Sequence, residues 1–314
     1  MRYSRREFGA LALGAIPVLA VRPGAQARRP NSKVNGVQIA MNAPYNFGNN
    51  NMSADEVLTR CLDLGVSAVE LRSQPVESFL GIPADLVAAA APAGRAVRSP
   101  EQVAAAKDAA EALRKWRVAV PMSRVADFRR KYEDAGVLIE IVKFDNIYAR
   151  SDDEIDYCFA LTKALGARAV SCEIDVPETR RLGQFADRHR MMVGYHGHTA
   201  TGPHEWEEAF AYARFNGANL DLGHFVGGQK TSPIPFLTKY HDRITHVHVK
   251  DKTLKDVNVP FGEGDTPIVE ALQLIRDRKW NIQATIEFEY PVPAGSDRMV
   301  EIKRCVDYCR RSLA

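Results

Sequence analysis

From residue 36 onward, short apolar runs alternate with longer stretches whose apolar positions recur at helical spacing. Eight runs read as strands: 36–41 (GVQIAM), 67–72 (SAVELR), 136–144, 167–174, 190–197 (RMMVGYHG), 217–224 (GANLDLGH), 244–251 (ITHVHVKD) and 282–290 (IQATIEFEY). They are rich in β-branched residues and lack clean polar–apolar alternation, which predicts strands covered on both faces, as in a parallel sheet. The helical period predicts helices over 54–64, 125–135, 152–165, 178–189, 205–215, 234–239, 267–278 and 298–312, with Ser53 and Ser151 as N-caps. Eight β–α units of roughly 36 residues each match a (β/α)8 TIM barrel, an α/β fold in one domain spanning 36–314. An open doubly wound sheet normally carries a Gly-rich phosphate turn after its first strand, and none follows residue 41.

One stretch breaks the rhythm. Residues 75–120 form an Ala- and Pro-rich insertion after the second strand, and 100–116 within it read as an extra helix. Its position on the loop side of the barrel suits a lid or half of a substrate pocket.

The first 27 residues do not belong to that pattern. They carry Ser4-Arg5-Arg6-Glu7-Phe8, an apolar run over 9–21 and a small-x-small end at Ala27, followed by a linker over 28–35. This is the layout of an export signal, and the paired arginines resemble a twin-arginine signal. An apolar run of about 13 residues is shorter than the roughly 20 a membrane anchor needs. The expectation is cleavage after Ala27, hand-over to the twin-arginine export machinery, and a mature protein in the periplasm or outside the cell with no stable membrane anchor. Arg2, Arg5, Arg6 and Arg22 against Glu7 account for the whole net charge of +3, so the remaining chain is neutral. A neutral body lacks the basic surface that phosphate-backbone binding requires, which argues against nucleic acid as a partner. Cys61, Cys158, Cys172, Cys305 and Cys309 form no C-x-x-C pair and read as buried thiols. The sequence leaves the oligomeric state open.

The late strands end in metal-ligand residue types: Tyr195-His196-Gly197-His198, Asp221 with His224, His246-Val247-His248 with Lys250-Asp251, and Glu287 with Glu289. His196, Asp221, His248 and Glu287 are separated by about one β–α unit each, which predicts convergence on one rim of the barrel. Two imidazoles and two carboxylates suit one divalent ion: Mn, Co, Zn, Fe or Mg, with Mn favoured. Each single histidine is more commonly a packed or surface residue than a ligand, so the register of four carries the reading. Alternation along a strand places His246 with His248, His196 with His198, and Glu287 with Glu289 on common faces, leaving the choice within each pair open.

LDLGHFVGG (220–228), HVHVKD (246–251), FGEGDTP (261–267), IEFEY (286–290) and YHGHT (195–199) resemble the sugar phosphate isomerase/epimerase family with the xylose isomerase-like barrel. The resemblance implies a single divalent ion on His196, Asp221, His248 and Glu287, and places His224 beside substrate. It also makes Glu287 a candidate base. Many members carry Glu where this chain has His196, which unsettles the usual two-glutamate proton shuttle. Such a site polarises a ketone and stabilises the enediolate left when the α-proton departs. Proton return then gives an isomerase or epimerase, and loss of a β-leaving group gives a lyase.

Glu173, ending the fourth strand, is the extra candidate base, with a structural pairing to Arg180 or Lys143 as the alternative. Lys250 is a candidate for stabilising oxyanion charge, with Asp251 as its alternative partner. His198 and His224 are candidate substrate contacts, and Glu70 and Arg72 read as a structural pair. Export argues for a non-phosphorylated sugar, and β-elimination from 3-keto-glycosides is the alternative reaction. The rivals of another class are a catalytically silent sugar-binding protein and a metal-dependent nuclease on the same barrel, the latter opposed by the neutral charge.

Overall fold

The computed structural model describes residues 29–91 and 97–314, so the export-signal expectation over 1–27 lies outside the described residues. Eight parallel strands close on themselves: β1 (Val37–Ala43), β2 (Ala68–Arg72), β3 (Leu138–Lys143), β4 (Ala169–Glu173), β5 (Met192–His196), β6 (Asn216–Asp221), β7 (Ile244–Val249) and β8 (Gln283–Ile286). Closure is made where Ile39 of β1 stands opposite Ala284 of β8. A two-residue strand, Lys33–Val34, turns back antiparallel on the start of β1. This is a (β/α)8 TIM barrel in a single domain.

Around it lie α1 (Ala54–Leu64), α2 (Ser73–Phe79), α3 (Ala84–Ala90), α4 (Pro100–Ala119), α5 (Met122–Ala135), α6 (Asp152–Ala164), α7 (Val176–His189), α8 (Pro203–Tyr212), α9 (Leu222–Gln229), α10 (Ile234–Lys239), α11 (Ile268–Asp277) and α12 (Arg298–Leu313). The caps follow the sequence. Ser53 accepts from the Glu56 N–H while Glu56 accepts from the Ser53 N–H, and Glu154 accepts from the Ser151 N–H at 3.1 Å. All five cysteines are buried and unbridged.

Among the boundaries that differ from the sequence reading, two bear on the site. The sixth strand was expected to reach residue 224, but it stops at Asp221, whose side chain caps α9, so His224 sits in a first helical turn. The eighth was expected to reach residue 290 and leaves regular structure at Ile286, although the Glu287 N–H still bonds Val249 at 3.1 Å.

The insertion holds α2 and α3 as well as the expected helix, which extends to Ala119. Arg117 of α4 bridges Glu77 of α2 and Glu154 at the start of α6, both at 2.8 Å, and all three side chains are largely buried. Among the described residues, no strand-end histidine or carboxylate takes a hydrogen-bond or ion-pair partner from α4. Its polar contacts fasten it to the flank, so the lid expectation gains no support from them.

The barrel lumen is polar. Asn42 reaches Glu287, Glu70 reaches His246 and His248, Lys143 reaches Glu173, and Asn219 reaches His248, all from strand positions that face inward. The apolar core lies mainly between sheet and helices, with Val69, Leu71, Val142, Val170, Val247 and Ile286 fully buried there.

Replacing Arg117 by Ala strands two buried carboxylates, a change that typically costs a few kcal/mol. Arg117→Ala is expected to lower unfolding stability by about 3 kcal/mol, measured as a shift in urea midpoint at constant slope. An unchanged midpoint would show that this network does not hold α4.

Candidate metal centre and active site

Each of the four residues singled out at the strand ends is anchored by one atom and presents another inward. His196 Nδ1 donates to Glu173 Oε2 at 2.9 Å, leaving Nε2. Asp221 Oδ1 accepts the His224 N–H at 2.7 Å as the cap of α9, leaving Oδ2. His248 Nε2 lies 2.6 Å from Glu70 Oε2, leaving Nδ1. Glu287 Oε1 accepts from Asn42 Nδ2 at 2.9 Å, leaving Oε2.

These four remaining atoms lie within 4.8 Å of one another, and all four residues are buried. The edges of the cluster are 3.5 Å (His196–Asp221), 3.7 Å (His196–Glu287), 3.9 Å (His248–Asp221) and 3.1 Å (His248–Glu287). Donors bound about 2.0–2.2 Å from a single ion stand roughly 3–3.6 Å apart. His248 Nδ1 and Glu287 Oε2 are both buried and stand 3.1 Å apart, a separation that suits two donors on one ion. A carboxylate on the far nitrogen of each imidazole is the arrangement that fixes the tautomer of a metal-binding histidine. The residues fit a divalent ion.

Electrostatics agree. Burial disfavours the His248 imidazolium, but flanking Glu287 and Glu70 outweigh it and push the ring up to about 10. His224 goes the other way: burial, helped by Lys250 and Lys252 against Asp221, brings it down to about 4, so it is neutral. It accepts from Lys250 Nζ at 2.8 Å and meets Thr199 Oγ1 at 3.1 Å. Burial works to raise the Glu173 carboxyl, but hydrogen bonds from His196 and His198 and the charge of Lys143 hold it well below the ordinary range.

The other sequence candidates fall around this cluster. Glu173 pairs with Lys143 at 2.6 Å, one of the two alternative partners, while Arg180 lies over the Tyr212 ring instead. His198 Nε2 shares Glu173 Oε2 at 2.8 Å, its ring is largely exposed, and it stacks on His224. The Glu173 bond raises the His198 ring against burial. Lys250 does not pair with Asp251. Its Nζ lies 2.8 Å from both Glu287 and Glu289, and Asp251 accepts the N–H groups of Gly262, Gly264 and Thr266 in the 261–267 loop. Gly223 permits this packing, because a Cβ there would meet the Lys250 carbonyl at 2.8 Å.

Glu70 and Arg72 are not a pair: Arg72 binds Asp145, and Glu70 turns into the lumen toward His246 and His248. Sequence reasoning thus missed Glu70 as a partner of His248, Asn42 as the clamp on Glu287, and Asn46. The Asn46 amide brackets the same segment, donating to the Ile286 carbonyl at 2.7 Å and accepting the Phe288 N–H at 2.9 Å. For Glu70 and Asn42 the available signal was a charged or amide residue at an inward position of an otherwise apolar strand; Asn46 lies in a turn beyond β1 and gave no such signal.

The model of the xylose isomerase-like TIM barrel family matches residues 34–308. The chain belongs to that family. An inosose dehydratase from Clostridium botulinum is 38% identical over 76 residues, a match spanning 23% of this chain and 25% of the relative. A xylose isomerase domain protein from Planctomyces limnophilus superposes with a TM-score of 0.58 at 13% identity, covering 90% of this chain and 98% of that one. The 3-keto-D-glucoside 4-epimerase of E. coli gives 0.54 at 11% identity over 88% and 99% of the respective chains. At these identities the structural likenesses establish the fold alone.

Because ligation requires neutral His248 Nδ1, binding an ion must displace a proton at any pH below about 10. Divalent-ion affinity is therefore expected to rise about tenfold per pH unit between pH ~6.5 and ~8.5 and to fall as the solution is acidified. Calorimetric titration in buffers of different ionisation enthalpy would count the released proton. A pH-independent affinity across that range would contradict the ligand assignment.

Proposed function

We propose that this protein is a divalent-metal-dependent enzyme that removes the proton next to the carbonyl of a non-phosphorylated sugar, giving isomerisation or epimerisation. The convergence of His196, Asp221, His248 and Glu287, each with one atom tethered and another turned to a common point, carries the reading. A divalent ion bound there would polarise a carbonyl and offset the negative charge that develops as the neighbouring carbon loses its proton.

The chain's own groups supply the proton chemistry. The exposed His198 ring is held by Glu173 through Nε2, an imidazole–carboxylate dyad whose other ring nitrogen, Nδ1, is left to exchange a proton. On this reading Glu173 positions both His196 and His198, and its strong depression makes it a weak base in its own right. Lys250 places a positive charge beside Glu287, suited to stabilising a developing oxyanion. Neutral His224, fixed between Thr199 and Lys250, offers a substrate contact.

Beside Glu289 lies a cavity of about 390 Å³ lined by Tyr45, Gly48, Asn258, Phe288 and Arg298. Tyrosine, asparagine, arginine and carboxylate around an aromatic wall suit a polyhydroxylated ring, and the cavity offers room for a second ring or aglycone. Because export through a twin-arginine signal is part of the proposal, phosphorylated sugars are not the expected substrates.

A second reading, β-elimination from a 3-keto-glycoside, is favoured by the match to inosose dehydratases, whose name denotes an elimination. It shares the first step and differs in needing an acid at the leaving group, a role open to His198 as its imidazolium.

Incubating the Mn²⁺-loaded protein with a 3-keto-glucoside in D₂O tests the shared step by NMR. Solvent deuterium should enter the carbon next to the ketone, and chelator should abolish it. No exchange with any keto-sugar, despite bound metal, would favour a silent sugar-binding protein. Release of aglycone selects elimination, and a change in stereochemistry or carbonyl position without release selects the isomerase or epimerase. His198→Ala is expected to lower exchange by about 10²–10⁴-fold while leaving metal content unchanged.

A further inference from the structure

Lys250 stands in surroundings that exceed what one ammonium needs. Its Nζ has three N–H donors but meets four acceptor atoms: His224 Nε2, Glu287 Oε2 and Glu289 Oε2 at 2.8 Å, and Asp221 Oδ2 at 3.2 Å. His224, Glu287 and Glu289 by themselves form a group whose ligand atoms could hold a metal ion. The acceptors do not depend on the lysine for their placement. Glu289 Oε1 accepts from Tyr45 Oη at 2.7 Å, and Glu287 Oε1 accepts from Asn42. Asp221 caps α9, and His224 Nδ1 is held by Thr199.

Two of the four, Asp221 Oδ2 and Glu287 Oε2, are also the inward-facing carboxylate atoms of the first cluster. Carboxylate oxygens shared between neighbouring cation positions are how two-metal sites hold ions about 3.5–4 Å apart. We infer that the barrel mouth contains a second cation site of His224, Glu287, Glu289 and Asp221, and that Lys250 closes it with a tethered ammonium, keeping the centre mononuclear. The inference rests on the metal reading of the first cluster. Its consequence is that one fixed positive charge remains beside the ion in every state of the reaction, and the second charge cannot be exchanged with solvent.

The test is metal stoichiometry. Purified protein, Lys250→Ala and Lys250→Ala/Glu289→Gln are loaded with excess Mn²⁺, desalted and analysed by elemental mass spectrometry, with Mn²⁺ EPR on the same samples. The expected result is one ion per chain in the parent protein. Two ions with a spin-coupled EPR signal are expected in Lys250→Ala, returning to one in the double variant. Lys250→Asn, whose short polar side chain leaves the pocket free, is read the same way if the alanine variant does not fold. Two ions in the parent protein would overturn the inference. So would a single ion in both Lys250 variants, including one bound more tightly, which would mean that the ammonium competes for the primary position. A parent protein that binds no ion would instead refute the underlying metal reading.

Discussion

The constraint on which the rest depends is the excess of negative charge gathered in a nearly dry barrel mouth. Among the described residues, Asp221, Glu287, Glu289, Glu70 and Glu173 pair with two ammonium groups, those of Lys143 and Lys250. Asp221, Glu287 and Glu70 are buried away from water, so their charge must be met locally. Without a bound ion His248 meets part of it, holding a proton between Glu70 and Glu287. On the proposed reading a divalent ion would meet it better, because it would bring two charges and need no proton.

The fold supplies the rigidity that this balance requires. Glu173 and His196 are register partners on β4 and β5, and Asp221 and His248 on β6 and β7, so the relative heights of these groups are set by sheet hydrogen bonds. Asp221 serves at once as helix cap and inward ligand, so rotating it would uncap α9. Glu287 lies just past the regular end of β8, where the strand no longer fixes it, and there Asn46 takes over by bonding the backbone on either side. Asp251 does the same for the 261–267 loop by collecting three of its N–H groups. Burial raises its carboxyl against the pull of those hydrogen bonds, the cost of using a carboxylate as a loop anchor.

What was legible in the sequence follows from what a linear pattern encodes. Alternation and unit spacing report height along a strand and identity of the rim, and those two quantities placed the late strand ends together, while the family resemblance selected His196, His248 and Glu287 within their pairs. Capping residues reported helix starts for the same reason: Ser53 and Glu56 are three residues apart in any state of the chain. Distance across the barrel is not local. Glu70 and His248 are 178 residues apart, and nothing in SAVELR distinguishes an acid that meets Arg72 from one that crosses the lumen to an imidazole. The break at Asp221 was hidden because LDLGH satisfies a buried strand as well as a buried helix: α9 is apolar nearly all round, with residues 222–227 all buried. For Lys250 the sequence offered its neighbour Asp251 as the alternative partner, whereas its four acceptors come from the ends of β6 and β8 and the first turn of α9, which only the folded barrel brings together.

The replacement of a strand-five carboxylate by His196 reshapes the proton chemistry rather than removing it. A carboxylate persists at the same height on the neighbouring strand, as Glu173, but both of its oxygens are committed, one to Lys143 and one to His196 and His198. A carboxylate so satisfied resists protonation, and the proton it would have carried passes to the histidine it supports. Hydrogen bonding to Glu173 lifts the His198 ring above its ordinary value despite burial, so this imidazole keeps its proton to higher pH than a free one. Such a group returns a proton, or delivers one to a departing oxygen, more readily than it extracts one. On the proposed reading this asymmetry makes His198 the acid that returns the proton to carbon or meets a departing oxygen.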